Sequence, residues 1–247
     1  MNEFAEFQVL SQPPSTVTTP AYDVALVLAG CGARDGTEIT EAVSLLANLS
    51  EAGFRVQVFA PDRNTAHTIN HLTGEQESEG RSMLAEAARI ARGKVTPLAD
   101  LRSARFDALV FAGGFGVAKN LCNYAVAGPE ATLSSDASLV IEEFMTGHKP
   151  VAALCIAPIL FSIYAREKRL KGLAVTFGPD DARSELLEHV SRWGVRHVPC
   201  KVREACIDKR NRVVSAPAYM HADATPGDVF ASAASLVQGL RQLLNQR

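Results

Sequence analysis

The sequence predicts a doubly wound α/β fold, a mostly parallel sheet that carries helices on both faces. From Asp23 onward, short and continuous apolar runs alternate with helical patterns, and such continuous runs are typical of strands buried on both faces. The chain of 247 residues is 47% hydrophobic but only 6% aromatic, so its core must consist mainly of Ala, Val, Leu and Ile. A core of this kind suits helices packed on a parallel sheet.

The predicted strands coincide with the apolar runs. They lie at residues 24–28, 55–60, 107–112, 151–154 and 173–177, and a hairpin at 205–215 turns at residues 208–211. Because sequential βαβ units imply parallel strands, we expect functional residues at the carboxyl ends of the strands, near the switch in strand order.

The predicted helices follow the strands in alternation. The first has Ala42, Leu45, Leu46 and Leu49 at helical spacing and ends at Gly53, a typical C-terminal glycine. Further helices are predicted at 81–91, 137–146, from about 157, at 180–193 and over the last twenty residues. In this last helix the residues expected to face inward are Val229, Ala233, Leu236, Leu240 and Leu243 or Leu244.

Composition and charge exclude several classes of protein. The net charge of −2 is too near zero for an obligate nucleic-acid binder. The longest uncharged apolar stretch, residues 151–165, is too short for a membrane span and contains Pro158. We therefore expect neither a nucleic-acid nor a membrane partner, and one domain over residues 21–247. Residues 1–20 are rich in Pro, Ser and Thr and are expected to form a flexible arm.

Cysteine usage bears on compartment and on metal binding. The five cysteines are scattered at positions 31, 122, 155, 200 and 206 without a CxxC pair, which favours free thiols in a reducing compartment. The first basic residue is Arg34, so no basic targeting segment is visible. A cytoplasmic protein is expected, with a mitochondrial one as the alternative in a eukaryote. The sequence has no GxGxxG at a helix start, no Walker loop and no His pair with ligand spacing. We therefore expect no cofactor and no metal.

Cys155 is the first candidate for chemistry. It stands between a buried strand and a helix with no room for a loop, and such a sharp turn resembles a nucleophile elbow. The N-terminus of the helix is expected to lower the pKa of the thiol. The alternative is an inert buried cysteine. Cys31, at another strand end, is either a resolving thiol or an ordinary loop cysteine.

Two further features lie at predicted strand ends. Gly113 and Gly114 follow a strand and either present N–H groups to an oxyanion or form a plain tight turn. Glu41 stands four residues before Leu45 and so shares its inward face. A carboxyl held there would have a raised pKa and act as a general acid and base. Either Glu41 or Glu38 is alternatively a simple helix-start charge.

Five strings, taken together, resemble the ElbB branch of the ThiJ/PfpI superfamily. They lie at residues 29–42, 69–75, 113–120, 155–158 and 217–220. The resemblance implies a flavodoxin-like fold of the class I glutamine amidotransferase type, commonly homodimeric, with Cys155 at the elbow. In the superfamily the partner glutamate lies twelve residues before the glycine that closes the first helix, which is Gly53, and this selects Glu41.

The resemblance also implies an activity. It implies a cofactor-independent glyoxalase that converts a small aldehyde substrate, methylglyoxal or glyoxal, to the 2-hydroxy acid. Gly113, Gly114, Ile156 and Asn120 are then expected to bind the oxyanion or substrate. Many superfamily hydrolases have His directly after the elbow cysteine, whereas this chain has Ile156, so peptidase activity is not expected.

Two alternatives remain open. Cys155 is either the thiol of a non-enzymatic, redox-sensing or protective protein, or the nucleophile of an amidase. The amidase alternative requires a Cys–His–Asp triad with His221 and Asp223, which stand just before the last helix. His71 is a second imidazole within a matching string and is either a site residue or a loop hydrogen-bonding group.

Overall fold

A seven-stranded sheet forms the centre of the computed structural model, which describes residues 22–181 and 184–246. The predicted arm at 1–20 lies outside the described residues. The strands are β1 (Asp23–Val27), β2 (Arg55–Ala60), β3 (Thr68–Ile69), β4 (Gln76–Glu77), β5 (Val95–Pro97), β6 (Ala108–Phe111), β7 (Val151–Leu154), β8 (Ala174–Val175), β9 (Arg196–His197), β10 (Cys206–Asp208) and β11 (Val213–Ala216).

The order of the central sheet is β10-β11-β7-β6-β1-β2-β5. All neighbouring strands in it run parallel except β10 and β11, which form the predicted antiparallel hairpin. Every residue of β6, β7 and β11 is buried. This explains why these strands are continuously apolar, since both faces of the sheet are covered.

Helices cover the sheet on both faces, as the sequence predicts. They are α1 (Ile39–Glu51), α2 (Met83–Ile90), α3 (Tyr124–Ala127), α4 (Ser135–Thr146), α5 (Pro158–Lys168), α6 (Glu185–Arg192) and α7 (Pro226–Asn245). Helices α1, α2 and α7 share one face, and α4 and α5 pack together on the other. The residues of α7 that were expected to face inward are all buried. None of the helices in the described ranges is long and apolar enough to span a bilayer.

The chain reverses its direction across the sheet between β1 and β6. From β1 it proceeds to β2 and β5 on one side, and from β6 to β7 and β11 on the other. The carboxyl ends of β1 and β6 therefore diverge into a crevice, the usual ligand-binding position of doubly wound folds. The loops that follow β1, β6, β7 and β11 all meet at this end of the sheet.

Some predicted elements are shorter than expected, and some were missed. The strand predicted at 173–177 is shorter than expected, and only β8 forms there. It pairs with β9 in a separate small sheet. It ends before Thr176, because the N–H of Thr176 donates to the side-chain hydroxyl of Ser215 and not to a neighbouring strand. The helix predicted at 180–193 begins at Glu185, where Ser184 caps it. The edge strand β5, the β3–β4 hairpin and a π-helical turn at Val117–Leu121 have no clear period in the sequence.

Candidate functional site

Cys155 follows β7 directly and adopts a left-handed backbone conformation. Its φ angle is 60°, a value that residues other than glycine rarely adopt. Its N–H donates to the carbonyl oxygen of Ala216 at 2.9 Å, and the N–H of Ala157 donates to that of Leu154 at 3.0 Å. Helix α5 then begins at Pro158, whose fixed φ suits a first helical turn. The turn is as sharp as the sequence predicts, and strain of this kind clusters at functional sites.

Glu38 and Glu41 have different roles at the start of α1. Glu38 is the N-cap residue, and its Oε2 accepts a hydrogen bond from the N–H of Glu41 at 2.7 Å. Glu41 is in the first turn and is completely buried. Glu38 is thus the helix-start acid, and Glu41 points inward toward the end of the sheet.

Gly113 lies between the side chains of Glu41 and Cys155. A Cβ atom at position 113 would collide with Oε2 of Glu41 and would lie 2.6 Å from Cβ of Cys155. The side chains of Glu41 and Cys155 therefore both border the space that a methyl group at residue 113 would fill. The absence of a side chain at residue 113 is what allows the carboxyl and the cysteine to lie side by side.

Burial dominates the protonation of Glu41. It raises the pKa of the carboxyl from 4.5 to about 8, and the negative charge of Glu38 acts in the same direction. The thiol of Cys155 and the N–H groups of Tyr219 and Gly113 approach the carboxyl and offset part of this rise in pKa. None of them meets the geometry of a full hydrogen bond, so both carboxyl oxygens are buried without a partner. A buried carboxyl with free hydrogen-bonding capacity is poised to accept or donate a proton.

The thiol of Cys155 is not acidified. Burial raises its pKa well above 9, and the neighbouring Glu41 raises it further. The N–H groups of Gly114 and Ile156 face the sulfur and lower the pKa, but by less. The expectation that the N-terminus of the helix lowers this pKa is therefore wrong, because burial and an adjacent acid outweigh the backbone dipoles.

The loop after β6 is held against the start of α1. Gly114 has a φ of 98°, and a Cβ atom there would collide with the backbone N of Glu38 and lie 2.6 Å from the carbonyl oxygen of Gly36. This close approach requires glycine and fixes the N–H of Gly114 on the side of Cys155. The N–H groups of Gly114 and Ile156 thus both face the sulfur of Cys155.

Asn120 has a structural role in the arrangement. Its Oδ1 accepts from the N–H of Ala66 at 2.9 Å, and its Nδ2 donates to the carbonyl oxygen of Asp35 at 2.8 Å. Both ends of the amide are engaged, so Asn120 joins the loop after β1 to the loop after β2.

His71 also joins loops. Its Nε2 accepts from the N–H of Arg34 at 3.1 Å, and its Nδ1 lies 2.9 Å from the carbonyl oxygen of Ile69. This pattern matches the neutral ring with the proton on Nδ1, which donates to that carbonyl. The alternative of a loop hydrogen-bonding group is the arrangement found.

His221 and Cys31 are not partners of Cys155. The Nε2 of His221 lies 2.9 Å from the carbonyl oxygen of Cys200, to which it donates, and Asp223 is exposed. Burial raises the pKa of Cys31, and its charged neighbours are Glu86, Arg89, Asp35 and Arg81. Within the described residues, the Cys–His–Asp triad of the amidase alternative is therefore not assembled.

Tyr219 is a participant that sequence reasoning missed. It lies in the 3₁₀ turn Ala218–Met220 after β11, and its backbone N–H approaches the carboxyl of Glu41. The turn is held by the N–H of Ala218, which donates to the hydroxyl of Ser232 on α7 at 3.0 Å. The segment 217–220 is one of the five strings that carry the family resemblance. The contact itself could not be predicted, because it is made by the backbone N–H of Tyr219 and does not depend on the type of side chain.

Comparison with known proteins places this geometry in a family. A family model described as "DJ-1/PfpI family" matches residues 25–186. The human "Glutamine amidotransferase-like class 1 domain-containing protein 3, mitochondrial" is 43% identical over 83% of this chain and 77% of its own length. The rat (Rattus norvegicus) "ES1 protein homolog, mitochondrial" is 44% identical over 83% of this chain and 78% of its own length.

A solved structure is similar over nearly the whole chain. It is the crystal structure of an isoprenoid biosynthesis protein with an amidotransferase-like domain from Ehrlichia chaffeensis, with a TM-score of 0.83 and 31% identity. The match covers 91% of this chain and 100% of that chain. It agrees with the flavodoxin-like arrangement that the resemblance implies.

The comparisons correct one expectation. A cytoplasmic protein was expected from the cysteine pattern and the missing basic segment, but both curated relatives carry the word mitochondrial in their names. The expectation is therefore wrong. The cysteine pattern reports only that thiols stay reduced, and this condition also holds in compartments other than the cytoplasm.

Proposed function

Because this chain belongs to the DJ-1/PfpI family, we propose that it is a cofactor-independent glyoxalase, a lyase that converts 2-oxoaldehydes such as methylglyoxal to 2-hydroxy acids. One observation carries the proposal. The fully buried carboxyl of Glu41, with a pKa raised to about 8 and no hydrogen-bond partner, lies against Cys155. A pKa near the working pH makes a carboxyl efficient both as acid and as base.

The first step is addition of the thiol to the aldehyde. At neutral pH a minor fraction of Glu41 is ionised and accepts the thiol proton as the sulfur of Cys155 attacks the aldehyde carbon. The carbonyl π electrons move to oxygen, where the N–H groups of Gly114 and Ile156 stabilise the charge. Glu41 then returns the proton to this oxygen, which gives a hemithioacetal and regenerates the carboxylate.

The second step moves a proton between carbons. The Glu41 carboxylate removes the hydrogen from the former aldehyde carbon. The electrons of that C–H bond form the C=C bond of an enediolate, the ketone π electrons move to the ketone oxygen, and the proton of the hemithioacetal hydroxyl passes to that oxygen. Glu41 next delivers the proton to the second carbon, which leaves a thioester on Cys155. Water hydrolyses the thioester to the 2-hydroxy acid and restores the thiol. No electrons leave the substrate, so no redox cofactor enters the balance.

The experiment follows methylglyoxal loss and lactate formation with the full chain. Cys155→Ala and Glu41→Gln are each expected to lower kcat/KM by about 10²–10⁴-fold, the usual contribution of a nucleophile or an acid–base group. In D₂O the lactate should carry deuterium at the second carbon, since a proton on Glu41 exchanges with solvent. Cys31→Ala is the matched control and should keep the parent rate. Equal rates in Cys155→Ala and the parent would refute the proposal.

The two alternatives have less support. The raised pKa of Cys155 leaves little thiolate to be oxidised, which weighs against a redox sensor. The hydrogen bond of His221 to Cys200 weighs against an amidase triad. Selective sulfinate formation at Cys155 under mild peroxide, in a protein with no turnover, would instead favour the sensor. The expected homodimer stays a prediction, which sedimentation of the full chain tests.

A further inference from the structure

A cavity lies along the edge strand β10, apart from Cys155 and Glu41. Its volume is about 580 Å³, and its walls come from β10, from the β8–β9 sheet and from the segments that connect them. Cavities that hold small molecules commonly measure about 300–1,000 Å³. None of the residues of the candidate site lines it, so it requires an explanation of its own.

One side of this cavity is apolar. Ala174, Cys200 and Cys206 form a small buried cluster that is separate from the main core, and Val198 packs against it. Ile207 extends the same wall. Burial raises the pKa of both thiols, that of Cys206 to about 12, so both are uncharged at neutral pH. The wall therefore suits an aliphatic group.

The other side of the cavity is cationic. Arg196, Lys209 and Arg210 line it and are exposed. Among the described residues none of these three has an ion-pair partner. The guanidinium of Arg210 lies over Gly172, 3.7 Å from where a Cβ atom would stand.

The described wall of the cavity contains one acidic residue, Asp208, which is too little to balance the three cationic side chains. Asp208 is buried, and its carboxylate accepts hydrogen bonds from the N–H of Ala174 at 2.9 Å and from the N–H and side chain of Asn211 at 3.0 and 2.7 Å. Its oxygens are thus occupied by β8 and by the turn between β10 and β11. It offsets one positive charge, while the other cations remain available to a ligand.

We propose that this cavity binds an amphiphilic anion, a carboxylate or phosphate group on a short aliphatic chain. The anionic group lies against Arg196, Lys209 and Arg210, and the chain lies along Ala174, Val198 and the two cysteines. Charge complementarity selects the head group, and the apolar wall selects the chain. The site is independent of the proposed glyoxalase reaction, so Cys155→Ala should bind the same ligand.

Calorimetric titration of the full chain tests the proposal with four probes: octyl phosphate, octanoate, octanol and inorganic phosphate. Both amphiphilic anions should bind with one site per chain, and the tighter one identifies the head group. Octanol and inorganic phosphate should each bind at least about tenfold more weakly, since each lacks one half of the interaction. Equal binding of octanol, equal binding of inorganic phosphate, or no saturable binding of either anion would overturn the proposal.

Variants locate the site. Arg196→Gln with Arg210→Gln should weaken octyl phosphate binding about tenfold or more, and added salt should reduce the difference. Lys94→Gln is the matched control. It removes the charge of an exposed lysine that does not line the cavity, and it should bind octyl phosphate as the parent does. Thermal unfolding of each variant confirms that it is folded. Parent-like affinity in the double variant would refute the assignment.

Thiol labelling gives a second readout. Bound octyl phosphate should slow maleimide modification of Cys200 and Cys206 but not of half-exposed Cys31, as counted by mass spectrometry. Equal labelling with and without ligand would place the ligand elsewhere. If the double variant instead changes only the oligomeric state, the surface is an interface between copies of the chain and the ligand proposal fails.

Discussion

Replacing Glu41 by glutamine keeps the size of a fully buried side chain and removes its ability to ionise. In the parent, the unfolded chain releases the Glu41 proton near pH 4.5, whereas the folded protein keeps it up to about pH 8. The folded state therefore binds more protons than the unfolded state between these values. Stability must fall as pH rises through this window, and Glu41→Gln must lack this loss.

The magnitude follows from the shift in pKa. Each pKa unit corresponds to about 1.4 kcal/mol, so the loss in the parent is about 3 kcal/mol at pH 7 and reaches about 5 kcal/mol above pH 8. The loss is absent below pH 4.5, where both states are protonated. Ionisation of Cys155 in the folded protein does not contribute between pH 4.5 and 8, because burial raises the pKa of its thiol well above 9. The amide of glutamine adds an offset that is independent of pH.

Urea unfolding at pH 5, 6, 7 and 8, followed by far-UV circular dichroism, measures the difference. Protein concentration and a reductant are held fixed, since self-association would change the apparent stability. The free energy of unfolding of Glu41→Gln, relative to the parent, should rise by about 3–4 kcal/mol from pH 5 to pH 8.

Glu38→Gln is the matched control. It removes the charge of a carboxyl three residues away but keeps an amide oxygen that can accept from the N–H of Glu41, so stability should change by less than about 1 kcal/mol. Its gain at high pH should be much smaller than that of Glu41→Gln, because the charge of Glu38 only adds to the rise in the pKa of Glu41 that burial dominates. Stability differences for Glu41→Gln that stay constant across the four pH values would refute the reasoning, because the carboxyl would then ionise equally in both states.

Three further substitutions separate catalytic from structural roles. Gly113→Ala should lower stability by about 1–3 kcal/mol and kcat/KM by about 100-fold, because the new methyl group separates Glu41 from Cys155; parent-like kinetics would contradict this contact. Asn120→Ala should lower the free energy of unfolding by about 1–3 kcal/mol, because it removes one buried and one part-buried hydrogen bond, and should change KM of the folded protein less than about threefold. A large rise in KM would instead support a substrate-binding role. His221→Ala should keep methylglyoxal turnover, and neither it nor the parent should hydrolyse glutamine; glutamine hydrolysis lost in this variant would establish the triad.

The sequence by itself determined the layout of the fold. Strands β6 and β7 and residues 24–27 of β1 are recognisable because both faces of the sheet are covered there, so these residues must be continuously apolar. Short elements such as β3, β4 and β5 bury too few residues to leave a period. The sharp turn at Cys155 was also visible, since a strand and a helix with no loop between them leave only one way to connect.

Only the tertiary structure decided the protonation and the partners of the site. The pKa values of Glu41 and Cys155 depend on burial and on each other, and their contact depends on a glycine that is distant in sequence from both. Likewise, Asn120 and His71 lie in matching strings, but the folded chain uses their polar groups to join loops. Sequence spacing can place a side chain on a face of an element, whereas desolvation and hydrogen-bond partners arise only when separate elements pack together.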